Sequence, residues 1–215
     1  MPLEVGLTKR DREILDTITV RVKLLSIPQI ARTWWGKSAD PEGNARKRIR
    51  QLEDAGLLRA ISIFAHPEIL FAGPVATWTP GQPAPDAGEI SYRLQSRWQL
   101  PYIPTSAVVA TRKAANHFGG YGERLPRDAE QNHDLHLAGV YLKIREQDSA
   151  RAKHWISEMH IKHSRPDALG EKLPDGMIRR GDNSQVIEFG GAYTKERVAA
   201  FHEFCERKHY QYELW

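Results

Sequence analysis

The run Gly43-Asn44-Ala45-Arg46-Lys47-Arg48-Ile49-Arg50-Gln51-Leu52-Glu53-Asp54-Ala55-Gly56-Leu57-Leu58 carries the side chains best suited to meeting a polyanion. Ala45, Ile49 and Leu52 fall at i, i+4 and i+7, which makes a narrow apolar seam on a helix. At 3.6 residues per turn, Lys47, Arg50, Gln51 and Asp54 lie opposite that seam, with Arg46 on the flank and Arg48 near its edge. Gly56 supplies the left-handed residue that ends a helix. The cations fill the N-terminal half and the acids Glu53 and Asp54 the C-terminal half, the reverse of what the helix dipole favours. A helix that turns its N-terminal half toward phosphates and bases has a reason for that order. In this role Lys47 and Arg50 reach base edges, and Asn44 and Gln51 are candidates for adenine. Arg46 adds charge beside them, while Lys37 and Arg59 hold phosphates from the preceding turn and the following strand. Double-stranded DNA is the expected partner. A solvated helix face, or a module that binds protein instead, is the alternative.

A second set of side chains is acidic. Glu158, Asp167 and Glu188 stand at or near short apolar segments that read as strands. Three carboxylates converging at a sheet edge bind a divalent cation such as Mg²⁺ and position water for phosphodiester cleavage. That chemistry also wants a lysine beside the last acid, and the position two beyond Glu188 is Gly190. The favoured expectation is a fold that no longer cuts, with Glu158, Asp167 and Glu188 vestigial and no cofactor; a metal-dependent nuclease using Asp167 and Glu188 with Mg²⁺ is the alternative. The histidines, among them His133, His136, His154, His160 and His163, lack the paired spacing of a zinc site. Cys205 is the only cysteine, which excludes a disulfide within the chain, and it falls inside an amphipathic helix as a small core residue.

The elements that must position these groups follow from local signals. Thr8-x-x-Asp11 opens a first helix with Ile14, Leu15, Ile18 and Val22 on one face. Ser26-Ile27-Pro28-Gln29 opens a second. Gly36 to Gly43 reads as a turn, the basic helix follows, and Leu58–Phe64 reads as a strand returned by Ile69–Trp78. Three helices and a strand hairpin is the winged helix-turn-helix order. The Pro- and Gly-rich stretch Thr79–Pro85 ends it. The expected division is 1–80 for this domain, 81–105 for a linker with a helix begun at Asp86, and 106–215 for a small α/β domain. There a long helix runs from Arg127 to Glu146. Trp155–Glu158 reads as a strand, 176–180 and 185–189 as a hairpin, a helix is capped by Thr194, and 210–215 makes a last strand. The fold class is α+β.

Charge sharpens the assignment. Of the 31 Lys/Arg and 27 Asp/Glu, residues 1–66 hold 12 and 8, so the net +4 arises entirely in the first third and the rest is balanced. That is the electrostatic footprint of nucleic-acid binding. No apolar run is long enough to cross a membrane, and the first residues lack a signal-peptide pattern, so the cytoplasm is the expected location.

Leu7-Thr8-x-x-Asp11-x-x-Ile14-Leu15, Gln29-Ile30-Ala31 and Arg48-x-x-x-Leu52-Glu53-x-Ala55-Gly56-Leu57 resemble the winged-helix half of the replication-relaxation family of plasmids and mobile elements. Asn132-His133-Asp134-Leu135, Trp155-x-Ser157-Glu158, Arg165-Pro166-Asp167-Ala168 and Ile187-Glu188-Phe189-Gly190-Gly191 extend the likeness over most of the chain. The resemblance implies a DNA-binding regulator of replication, mobilisation or transcription of a mobile element. It implies a homodimer whose C-terminal domain serves assembly or a protein partner. That second half is similar to the restriction-endonuclease-like fold, whose signature is PD-(D/E)xK. Pro166-Asp167 matches its first element and Glu188 the acid of its second, while Gly190 stands where the lysine belongs.

Overall fold

Two reciprocal caps start the helical part of the chain. Thr8 Oγ1 accepts the Asp11 N–H at 3.2 Å, and Asp11 Oδ2 accepts the Thr8 N–H at 2.7 Å. Ser26 and Gln29 repeat the arrangement, with both bonds at 3.0 Å. Each box satisfies backbone donors that a helix start otherwise leaves bare. The computed structural model describes residues 6–164, 173–181 and 183–215.

In chain order the elements are α1 (Lys9–Asp16, continued by a π-helical turn Thr17–Arg21), β1 (Leu25–Ser26), α2 (Ile27–Trp35), α3 (Pro41–Asp54), β2 (Leu58–Ala65), β3 (Ala76–Trp78), α4 (Ala87–Ser96) and β4 (Ile103–Ala110). There follow α5 (Arg112–Phe118), α6 (Asp128–Gln147), α7 (Ser149–Ala152), β5 (Trp155–Ser157), α8 (Glu158–Ser164), β6 (Gly176–Arg180), β7 (Asn183–Glu188), α9 (Lys195–Arg207) and β8 (Gln211–Leu214). The fold is mixed α+β, with nine α-helices and two sheets, of three and five strands, among the described residues. None of these helices is long and apolar enough to cross a membrane.

The chain divides into two compact units. One takes the residues up to Glu68 together with Tyr102–Leu142, and the other takes Ile69–Pro101 together with the chain from Lys143 onward. In the first unit β1, β4 and β2 form an antiparallel sheet in that order. The β2–β4 register runs from Leu58 opposite Ala110 to Ala65 opposite Ile103. Helix α2 packs on α3, and Ile14, Leu15, Ile30, Ala45 and Leu52 are buried. Leu24, Ile63, Ala65, Ala107, Val109 and Leu135 form a second buried cluster, built from the sheet and α6.

The strand returning to β2 is therefore β4, and not Ile69–Trp78. Only Ala76–Trp78 of that stretch is a strand, and it pairs with β8 in the other unit. Sequential strands usually pair, but here the chain leaves the hairpin after β2 and comes back only at Ile103. The intervening residues give β3 and α4 to the second unit, where Trp78, Ile90 and Leu94 are buried with Val198, Phe201, Tyr212 and Leu214. Residues 69–80 thus belong with the C-terminal part of the chain, as does most of the stretch expected to be a linker. Alternation of apolar residues marks a strand but carries no record of its partner.

The second sheet has the order β3-β8-β7-β6-β5. Its hairpin β6–β7 pairs Gly176 with Ile187, and β7 runs parallel to β8 after the crossover through α9. Thr194 caps α9 by accepting the Arg197 N–H.

Candidate nucleic-acid interface

The basic helix starts earlier than Gly43. Asp40 is its N-cap, accepting the Gly43 N–H at 2.9 Å, and Pro41 fills the first turn where its missing N–H costs nothing. Gly43 is part of the cap. A Cβ there would lie 1.9 Å from Asp40 Oδ2, so in this arrangement glycine leaves the carboxylate room to close over the helix start. The helix ends at Asp54, and Gly56 turns the chain at φ +70° into β2.

The seam faces inward as its spacing requires, with Ala45, Ile49 and Leu52 all buried. Lys47, Arg50, Gln51 and Asp54 are exposed on the other side, and so are Asn44 and Arg46. Arg48 is different. Its Nε donates to Asp11 Oδ1 at 2.9 Å and its Nη2 to Asp11 Oδ2 at 2.7 Å, a bidentate pair whose carboxylate is buried. The same guanidinium donates to the Gly6 carbonyl at 2.8 Å. Burial alone would raise the Asp11 pKa, but hydrogen bonds from Arg48 and Thr8 overcome it and hold the carboxyl below its ordinary value. Arg48 therefore clamps α3 to the start of α1.

The two amides on this face are occupied. Asn44 Nδ2 donates to the Asp40 carbonyl at 2.7 Å and to Ser38 Oγ at 3.3 Å, which ties the turn before α3. Gln51 Oε1 accepts from Arg48 Nη1 at 2.6 Å. A bidentate contact to adenine needs both ends of an amide, so either residue would first have to release these bonds. Arg46 pairs with Glu42 at 3.3 Å, one turn away and exposed, which is a weak tie. Among the described residues the side chains of Lys37, Lys47, Arg50 and Arg59 are exposed and make no ion pair or hydrogen bond. A groove of about 330 Å³ runs beside this face, lined by Arg46, Arg50 and Glu53 of α3 and by Ala60, Ser62 and Ser106 of the sheet.

No family model, curated protein or solved structure matches this chain.

The acids of the second unit are arranged differently from the expectation. Asp167, with Pro166, lies outside the described residues. Glu158 is the first residue of α8 and not a strand residue, and its N–H donates to the Asp175 carbonyl at 3.1 Å. Glu188 does end β7 and is buried. The carboxylate beside it is Asp175, which sequence reasoning passed over. Pro174-Asp175 directly precedes β6, and because Gly176 pairs with Ile187, Asp175 falls next to Glu188 at the open end of the hairpin. A second Pro-Asp pair close before a hairpin strand was the signal available.

These groups are tied into the protein. Asp175 Oδ2 accepts the Phe189 N–H at 2.8 Å, and Glu188 accepts the Tyr193 hydroxyl. Burial and the carboxylates of Glu188 and Asp175 push the Tyr193 phenol far above its ordinary pKa, so it stays a donor. At Gly190 a Cβ would lie 2.8 Å from Leu94 Cδ1 and 3.0 Å from Leu214 Cδ1, so a lysine there requires these buried leucines to shift. Among the described residues no group of three His, Cys, Asp or Glu side chains is placed to hold a metal ion.

Proposed function

We propose that the chain is a sequence-specific double-stranded DNA-binding protein whose first unit is a winged helix-turn-helix. The observation that carries this is the outward face of α3, where Lys47 and Arg50 stand exposed without counter-ions. Two features support it. The succession of α1, β1, α2, α3, β2 and β4 is the winged-helix order, with α3 in the place of the reading helix. Lys37 before α3 and Arg59 after it flank the same helix with charge suited to phosphates. The wing, in this reading, is the β2–β4 hairpin, and the chain between its two strands gives β3 and α4 to the second unit.

The second unit serves assembly, as a homodimer or with a protein partner, and the resemblance to replication-relaxation proteins points to control of replication, mobilisation or transcription of a plasmid or mobile element. The hairpin β6–β7, the crossover through α9 and the parallel strand β8 also suit a restriction-endonuclease-like scaffold. The nuclease alternative uses Glu188 and Asp167, which lies outside the described residues; against it, Glu188 accepts the Tyr193 hydroxyl, its neighbour Asp175 accepts the Phe189 amide, and Gly190 packs against leucines. A scaffold of this kind persists as a binding module after its site is lost.

Selection of bound fragments from a random pool of duplex DNA tests the reading. The expected result is one enriched motif, repeated at about 10 base pairs or a multiple if two copies bind together. A pool that stays random after several rounds at low salt would remove sequence-specific binding from consideration.

A further inference from the structure

The outer edge of β2 is closed by side chains. The N–H groups of Ala60, Phe64 and His66 donate to Glu53 Oε1 at 2.8 Å, Gln131 Oε1 at 2.6 Å and Asn132 Oδ1 at 2.9 Å. An edge capped in this way is closed to another strand. Beside it lies a groove of about 610 Å³ lined by Ser62, Phe64, Tyr102, Asp128, Gln131 and Asn132 among others. Its wall is aromatic and open to solvent: Phe64 is 56% and Tyr102 45% exposed. Their rings stack at 5.8 Å, and Tyr102 stacks on His66 at 4.2 Å. Its rim carries unused polar groups. The Asn132 amide donor, the Tyr102 hydroxyl and the second Asp128 oxygen have no partner among the described residues, while Asp128 Oδ1 accepts from Gln131. Ser62 lines both this groove and the one beside Arg46 and Arg50.

An exposed aromatic stack with a polar rim is the chemistry that holds an unpaired base. The carboxylate of Asp128 keeps phosphate out and selects a base edge instead. Asp128 and Asn132 are one helical turn apart and project on the same side. Guanine alone presents two adjacent donors on its pairing edge, N1–H and the N2 amine, which suit a carboxylate, with O6 next to them for an amide donor. Adenine and cytosine would turn a ring-nitrogen acceptor toward the carboxylate. Resting on the DNA-binding reading above, we infer that this groove takes one unstacked guanine base, from DNA distorted against α3 or from a free nucleotide.

The test uses the full chain and three fluorescein-labelled duplexes, identical except for full pairing, one bulged guanine or one bulged adenine. Anisotropy titration is expected to show the guanine bulge bound about tenfold or more tightly than the paired duplex, the scale of one lost base stack. Tyr102→Ala is expected to erase that preference and leave paired-duplex affinity unchanged. Asp128→Asn, at an exposed helix start, is expected to erase the preference for guanine over adenine. Displacement of the bulged duplex by guanosine monophosphate would support a site that free nucleotide also fills. Resistance to it, with the bulge preference intact, would support a base held within DNA. Equal affinity of the native chain for all three duplexes overturns the groove and leaves the DNA-binding reading standing. Failure to bind any of them overturns both.

Discussion

Replacing Arg48 by alanine will destabilise the first unit by about 3 kcal/mol, the low end for breaking a buried ion pair. The loss arises because Asp11 stays behind, buried, without the guanidinium that makes two bonds to it. The outward face of α3 keeps its composition, so this effect is separable from any change in recognition. Urea unfolding followed by far-UV circular dichroism checks the size. Adding Asp11→Asn to Arg48→Ala should recover part of the loss, since an amide costs less to bury than a carboxylate. The pH dependence follows from sign. The Asp11 pKa is lowered in the folded chain, so its contribution is fully present above the unfolded value of about 4. It is lost as pH falls through the folded value. The gap between native chain and Arg48→Ala should therefore be widest near neutrality and narrow in acid. A gap unchanged from pH 7 to pH 3 would mean that the pair is not its source.

Restoring the lysine of the nuclease signature, by Gly190→Lys, will unfold or severely weaken the second unit and will not create a metal-dependent nuclease. The new Cβ alone meets Leu94 and Leu214 within 3.0 Å, an overpacking that costs about 1–3 kcal/mol. The ammonium adds the cost of a buried charge, several kcal/mol more. Gly190→Ala should show the first part alone. The readout is the urea midpoint together with supercoiled plasmid incubated with Mg²⁺ or Mn²⁺. A stable Gly190→Lys variant that nicks plasmid would contradict the reading of Glu188 and Asp175 as tied structural acids.

Local signals were legible because they act over a few residues. The caps at Thr8, Ser26, Asp86 and Thr194 all form, and the helix expected from Arg127 to Glu146 appears as Asp128–Gln147. The seam of Ala45, Ile49 and Leu52 is buried as its period requires. The start of the basic helix was misplaced because Gly43 reads as a turn residue, whereas here it leaves room for the Asp40 cap. What escaped were facts of pairing. Ile103–Ala110 carries Pro104 and a run of small residues, a weak strand signal, yet it is the centre of the first sheet. Likewise Asp175 gains its place from the hairpin register and not from its own neighbours. In the candidate interface, exposure of Lys47 and Arg50 followed from helix geometry. The engagement of Asn44 with the Asp40 carbonyl and of Gln51 with Arg48 required the folded chain.

In the proposed reading α3 meets duplex DNA through Lys47 and Arg50. The measurement that bears on it most directly is the affinity for a selected duplex between 50 and 200 mM salt. It compares the native chain with the Lys47→Ala/Arg50→Ala variant, after matching their urea midpoints. With about 1–3 kcal/mol for each base contact, the variant should bind on the order of 10²-fold more weakly, and the native affinity should fall steeply with salt. Equal affinities at every salt concentration would contradict the assignment of α3 as the DNA-reading helix.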